Sequence, residues 1–314
     1  MNLHDFLGIC TQKNDNPARN CYIGFIFLFL GALWRQICYC QRADEIIIYL
    51  KFDMTLRTAG KPHKVKVVIP IYRDSLDELE RKSLINNINV LKRYPVVFLL
   101  PEGTAAPAQT EGYDVIRICR DRLGTELGLA GYNRMMMSGD FYRLFDDCDY
   151  ILICQTDAWI FRDELEAWCN KGYDYIGAPW PKRAVYNMFP INLWLKIRKL
   201  IFGRNSRPLR QDGFNRIGNG GLSLRRVESH IEACERYADR IEEFCKHRHH
   251  LYNEDFFWAT VPREFRYPSV EEALGFSFDV KPALCYKLSG GKLPFGCHGW
   301  YKKRMYGFWR DFIR

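Results

Sequence analysis

The sequence predicts an α/β fold, a mostly parallel central sheet of Rossmann-like type with helices on its flanks. Three observations carry this. The run Lys64-Val-Lys-Val-Val-Ile-Pro70 is a β-branched stretch of the kind buried on both faces of a sheet. A second run, Pro95-Val-Val-Phe-Leu-Leu100-Pro101, follows after a segment of helical periodicity, which makes a β-α-β unit. A third, Asp149-Tyr-Ile-Leu-Ile-Cys154, ends on polar Gln155-Thr156-Asp157, where an open parallel sheet places its ligands.

The first strand stops at Pro70, which has no N–H for a ladder. Asp74 and Ser75 then offer helix-capping oxygens. Leu76, Leu79, Leu84, Ile88 and Leu91 form a stripe that predicts a helix over 75–93. After the strand at 95–101 comes a turn-rich loop at 102–112 and a third strand over 113–119. A glycine-containing loop at 123–131 leads into Tyr132-Asn133-Arg134 and a helical 141–145. Asp163 is placed to cap a short helix ending near Cys169. Residues 173–180 read as strand and turn. Gly218-Asn219-Gly220-Gly221 opens another strand, and a helix is expected over 227–244. His247, His249 and His250 sit in a basic run, read as an exposed turn rather than a metal cluster.

Composition narrows the function. The 314 residues carry 12 cysteines at irregular spacing, with no Cys-x-x-Cys pair. That argues against a zinc ribbon or disulfide framework and for free thiols in a reducing cytoplasm. The net charge of +9 points to an anionic partner, yet no nucleic-acid-binding module is legible. Aromatics at 15% suit sugar and base binding as well as a core. Residues 64–314 are expected to form a single domain, preceded by an extension at 1–63. Within the extension, 22–34 is uncharged and mostly apolar but shorter than the ~20 residues a spanning helix needs. It reads as a weak anchor, a monotopic helix or a packed segment, or it precedes a true start at Met54. A basic insertion at 181–211 contains Lys182, Arg183, Lys196, Arg198, Lys199, Arg204, Arg207 and Arg210. Leu193, Ile197, Leu200 and Ile201 share a helical face within it. Such a helix lies on an anionic membrane or packs as a solvated insertion. A basic-aromatic tail closes the chain at 301–314.

Four features carry chemistry. Asp157, a carboxylate ending an apolar strand, is a candidate ligand for a hard divalent cation. The 218–221 loop lets backbone approach a ligand closely. Glu254-Asp255 is a carboxylate pair in which one acid takes a proton and the other orients the acceptor. His298, between glycine and aromatic residues, offers an imidazole to the same cation.

In this order the features resemble the GT-A glycosyltransferase layout: a DxD motif, a glycine loop, an xED motif and a late histidine. Tyr132-Asn133-Arg134, Gly220-Gly221-Leu-Ser223 and Glu254-Asp255 are similar to elements of β-1,4-galactosyltransferases. The string Gln-Thr-Asp-Ala-Trp, Tyr-Ile-Gly-Ala-Pro-Trp, Gly-Asn-Gly-Gly-Leu-Ser-Leu-Arg, Asn-Glu-Asp-Phe-Phe-Trp and Phe-Gly-Cys-His-Gly-Trp resembles a bacterial and viral family of domains of unknown function, over residues 65–300. The resemblance implies a metal-dependent, inverting hexosyltransferase using a nucleotide diphosphate sugar, with a UDP-sugar favoured. Its acceptor would be a glycan or lipid-linked glycan. It implies Mn2+ or Mg2+ on Asp157 and His298, and donor contacts from Pro70, Tyr72, Arg134, Gln155, Thr156 and Asp157. It also implies catalysis by Asp255 with Glu254, and acceptor contacts from Gly220, Gly221, Glu254 and Trp258. Location is expected to be cytoplasmic, peripheral to the inner face of a membrane. Gln155 departs from the pattern, standing where the first Asp of DxD belongs. That departure supports an alternative, a nucleotide-sugar-binding scaffold without turnover. A phosphate-releasing hydrolase is a third reading.

Overall fold

In the computed structural model, which describes residues 63–203 and 207–314, the apolar runs of the sequence become sheet. The run at 22–34 and Met54 lie outside the described residues. Strands β1 (Val65–Pro70), β2 (Val96–Pro101), β3 (Asp114–Ile118) and β4 (Tyr150–Cys154) are parallel, in the spatial order β3-β2-β1-β4. Four short strands follow in the chain: β5 (Ala158–Ile160), β6 (Tyr175–Ile176), β7 (Ala178–Pro179) and β8 (Ile217–Gly218). Strand β9 (Leu222–Arg226) pairs antiparallel with β4 and, on its other side, with β6. The last two, β10 (Ser277–Phe278) and β11 (Gly296–His298), join β5 in a second sheet of order β10-β11-β5.

Successive side chains on a strand point to opposite faces, so the main sheet has two apolar surfaces. Val67, Ile69, Phe98, Leu100, Leu152 and Cys154 face one core; Val68, Val97, Leu99, Ile151 and Ile153 face the other. Helix α1 (Glu78–Val90) covers the first through Leu84. Helices α2 (Leu129–Met136) and α3 (Gly139–Arg143) cover the second through Met135, Met136, Phe141 and Tyr142. Each such side chain contributes roughly 1.5–3 kcal/mol when fully buried. A short α4 (Leu165–Cys169) and the insertion helix α5 (Ile191–Phe202) come next. They are followed by α6 (Val227–Arg236), α7 (Ala238–Cys245), α8 (Glu254–Thr260), α9 (Val270–Phe276), α10 (Pro282–Leu288) and α11 (Tyr306–Trp309).

Local expectations change in three places. Helix α1 is capped by Asp77, not by Asp74 or Ser75, because Asp77 and Glu80 form a reciprocal capping box. Glu164, not Asp163, stands at the N-cap position of α4; Asp163, one residue earlier, pairs with Arg93 and accepts from Leu165 N–H at 3.4 Å. The helix expected over 227–244 is two helices, broken where Tyr237 leaves helical geometry (φ −108°, ψ 24°). Among the described residues, no helix is long and apolar enough to cross a membrane.

Candidate functional site

Asp157 lies in the turn between β4 and β5. Gln155 N–H donates to the Gly221 carbonyl (2.8 Å), and Ala158 N–H closes the turn on the Gln155 carbonyl (2.9 Å). Strand β11 runs antiparallel to β5 with His298 opposite Ala158, one residue from Asp157. Gly299 N–H then donates to the Asp157 carbonyl at 2.9 Å. This register brings the imidazole onto the carboxylate. His298 Nε2 is 3.1 Å from Asp157 Oδ1 and 3.2 Å from Gln155 Oε1, and its Nδ1 is 3.3 Å from Asp279 Oδ1. Lys302 Nζ holds the other oxygen, Asp157 Oδ2, at 2.7 Å.

The charges follow from this packing. Burial works against ionising Asp157, but His298 and Lys302 outweigh it and hold the carboxyl well below the usual carboxylate range. Burial likewise opposes a charged His298, and Asp157 with Asp279 raises it to about 9. Both ring nitrogens therefore donate protons near neutral pH.

The neighbouring groups are ordered from the strand ends. Tyr72 leaves β1 and its hydroxyl accepts from Gln155 Nε2 at 2.6 Å, while its ring meets Tyr132 edge-on at 5.6 Å. Thr156 is buried and donates to Glu80 Oε1 at 3.2 Å. Pro70 is buried at the end of β1. Asn133 accepts from Glu254 N–H (3.2 Å) and donates to Asn253 Oδ1 (3.1 Å), which fixes the start of α8. Asp255, in that first turn, accepts from Phe256 N–H at 2.8 Å. Burial, then the charges of Glu254 and Asp279, push its carboxyl up to about 7.

Glu254 is placed differently from the expectation that it orients an acceptor. It is buried and forms an ion pair at 3.0 Å with Arg225, itself fully buried. Its Oε1 lies where a Cβ on Gly220 would come within 1.7 Å, and a Cβ on Gly221 would meet His298 Nε2 at 2.1 Å. The two glycines thus make room for Glu254 and His298. Two other expectations are corrected outright. Trp258 is fully buried and donates to the Met136 carbonyl at 3.1 Å, so it offers no face to an acceptor. Arg134 is exposed and lines a shallow cleft with Met137, Cys234, Ile241 and Cys245, which includes no residue of the Asp157 group. A helix turns 100° per residue, so α2 cannot point Asn133 inward and Arg134 at the same target.

Sequence reasoning missed Asp279, Arg225, Glu80 and Lys302. Asp279 follows strand β10 as Asp157 follows β4, but a two-residue strand leaves no legible pattern. Among the described residues, no group of three or more His, Cys, Asp or Glu side chains is arranged to hold a metal ion. The side chains that would hold one are Asp157, Gln155 and His298: Asp157 Oδ1 and Gln155 Oε1 lie within 3.2 Å of His298 Nε2, which would give up its proton to the incoming cation. One carboxylate, one imidazole and one amide oxygen are a donor set that a divalent cation would accept.

Fold and site together define a mixed α/β protein with an acid–imidazole cluster at the carboxyl end of its parallel strands. Residues 121–298, more than half of the chain, match the family described as "Protein of unknown function (DUF5672)". The chain belongs to that family, as the motif string led us to expect. None of the curated proteins matches it in sequence. Solved structures resemble it more distantly. The galactosyltransferase LgtC, in complex with donor and acceptor sugar analogs, is 10% identical over 78% of this chain and 92% of its own, with a TM-score of 0.48. Mouse xyloside xylosyltransferase 1 is 10% identical over 77% and 98%, with a TM-score of 0.45. Core-mannan synthase A from Aspergillus fumigatus, a Mn/GDP form, is 12% identical over 64% and 69%, with a TM-score of 0.41. Likeness at that level identifies neither reaction nor substrate.

Proposed function

We propose that this chain is a metal-dependent, inverting glycosyltransferase. It moves a sugar from a nucleotide diphosphate sugar, a UDP-sugar being favoured, to a hydroxyl of a glycan or lipid-linked glycan, in the cytoplasm. The observation that carries the reading is the convergence of Asp157, His298 and Gln155 beside a carboxyl, Asp255, held near 7. Asp157, His298 and Gln155 would hold Mn2+ or Mg2+, which when bound neutralises the diphosphate leaving group. Tyr72, at the end of β1, would contact the donor, while Thr156, buried against Glu80, would act by holding the turn that carries Asp157.

Asp255 does the proton work. A group with a pKa near the working pH is the best general base. The acceptor hydroxyl gives its proton to an Asp255 oxygen while its own oxygen bonds to the anomeric carbon. The bond from that carbon to the diphosphate breaks, and the diphosphate leaves with the electron pair. Attack from the opposite face inverts the configuration. Glu254 does not touch the acceptor in this scheme. It positions Asp255 by anchoring α8 on Arg225, and its charge helps to raise Asp255.

The test is transfer from a panel of nucleotide sugars with manganese present. Asp255→Asn is expected to lose transfer by roughly 10²–10⁴-fold, the usual range for a general base, with nucleotide affinity nearly unchanged. Equal transfer by variant and parent would remove Asp255 as base. Donor binding with neither transfer nor hydrolysis, in the parent, would instead establish the scaffold reading that Gln155 supports.

A further inference from the structure

We propose that helix α5 docks on the surface of an anionic lipid bilayer, with its apolar stripe seated among the acyl chains. This stands apart from the catalytic reading and does not depend on it. The helix presents its faces in the reverse of the usual order. Half-buried Ile191, Asn192, Leu195 and Arg198 lie on the side against the domain, where the Leu195 carbonyl accepts from Gln211 Nε2 at 2.9 Å. At 100° per residue, Leu193, Trp194, Ile197, Leu200 and Ile201 share the opposite face. Their exposures run from 41% at Ile197 to 64% at Leu200, and no residue of the helix is buried. Met188 and Phe189, the latter 78% exposed, extend the patch just before the helix. A contiguous apolar surface of this kind marks a contact site.

Charge identifies the occupant. Residues 181–211 contain no Asp or Glu among their many Lys and Arg. Lys196 and Arg198 border the stripe on its two sides. At its root, Lys199, Arg207, Arg216 and Arg263 line a cleft, with Lys199 Nζ 3.4 Å from Asp212. A second copy of the chain would set these cations against themselves. Residues 1–62, outside the described structure, also carry more Lys and Arg than Asp and Glu, so they do not neutralise the patch. Lipid phosphates do. Twelve residues make a helix about 18 Å long, too short to cross a bilayer, so it lies in the plane of the interface.

Flotation of the full-length chain with vesicles tests this, using phosphatidylcholine alone or mixed with phosphatidylglycerol. The parent should float with the mixed vesicles and detach as salt rises towards 1 M, where charges are screened within about 3 Å. Lys196→Gln with Arg207→Gln should weaken binding on the order of tenfold or more. Ile197→Glu with Leu200→Glu should weaken it on the order of a hundredfold. All four side chains are exposed, so the fold is spared, and unchanged circular dichroism will show it. Residues 22–34 are present in every variant, so a difference between variant and parent reports on α5. Lipids brominated in the acyl chain should quench the parent more than Trp194→Tyr. The proposal is overturned if the Glu variant floats like the parent, or if the parent binds neither vesicle. It is equally overturned if α5 instead holds a dimer that the Glu variant dissolves.

Discussion

Replacing Arg225 by Met is expected to cost about 4 kcal/mol of stability, because removing one member of a buried ion pair typically costs 3–5 kcal/mol. Arg225 is fully buried and donates to Ser223 Oγ (3.0 Å), Tyr142 Oη (2.9 Å) and Glu254 Oε2 (3.0 Å). Met fills much of the volume, so little cavity is left, but Glu254 remains buried without its partner. For a domain of this size the urea slope is about 3 kcal/mol per molar, so the unfolding midpoint should fall by roughly 1.3 M. Glu254→Gln alone should also destabilise, since it strands Arg225. The double variant removes both charges and should be about 2 kcal/mol more stable than the summed single effects imply. The pH dependence has a definite sign. Burial pushes the Glu254 carboxyl up and Arg225 pulls it down; in Arg225→Met only the first remains. The folded variant then binds a proton more readily than the unfolded chain, so its stability falls as pH rises through the folded pKa of Glu254. The variant should therefore be less destabilised at pH 5 than at pH 8. Urea titrations followed by fluorescence at both pH values decide the matter. A loss under about 1 kcal/mol, or strict additivity in the double variant, would refute the buried-pair account.

Asp157→Ala should abolish the manganese-dependent rise in melting temperature caused by a nucleoside diphosphate; an undiminished rise would move the cation elsewhere. Transfer should increase with pH through about 7 as Asp255 deprotonates, and a flat profile from pH 6 to 8 would count against it. The same raised pKa makes ionised Asp255 a burden on the fold above the unfolded value near 4. Asp255→Asn should thus match the parent in stability at pH 4 and exceed it at pH 8, as read by thermal melts. Trp258→Phe removes one of two donors from the Met136 carbonyl, which keeps Tyr142 Oη at 2.8 Å, and should cost about 0.5–1.5 kcal/mol for the lost hydrogen bond, with the acceptor KM unchanged. Arg134→Ala should leave nucleotide affinity within about twofold in calorimetry, since its side chain lies over α7.

The parts of the fold legible in the sequence were those set by local pattern. Strands β1, β2 and β4 are continuous apolar runs because both of their faces are covered, and that cause is visible residue by residue. The cap of α1 was misplaced, because Asp74 and Ser75 offer the same oxygen chemistry as Asp77 a few residues away. Strands β5, β10 and β11 were not legible, since two or three residues define no period. The site divides the same way. Asp157, Asp255 and His298 were singled out from residue type and motif order, and the structure brings Asp157 and His298 together. Arg225 was not, because Leu224-Arg225-Arg226 reads as the outward step of a strand. Only the tertiary arrangement shows Ser223, Tyr142 and Glu254 taking its protons. Asp279 and Lys302 owe their places to β11 and to the turn after it, and no local signal announces that pairing.

The register of β11 on β5 has a kinetic consequence. His298 and Gln155 touch although they are 143 residues apart in the chain. Closing so long a loop is entropically disfavoured until most of the main sheet and its helices have formed. Asp157 therefore emerges from synthesis well before its imidazole partner. A growing chain that has folded β1 to β4 holds the carboxylate without the cluster, which is completed only when β11 pairs with β5. In pulse-labelled refolding, the Gly299 amide that bonds to the Asp157 carbonyl should gain protection after the amides of β1 and β4.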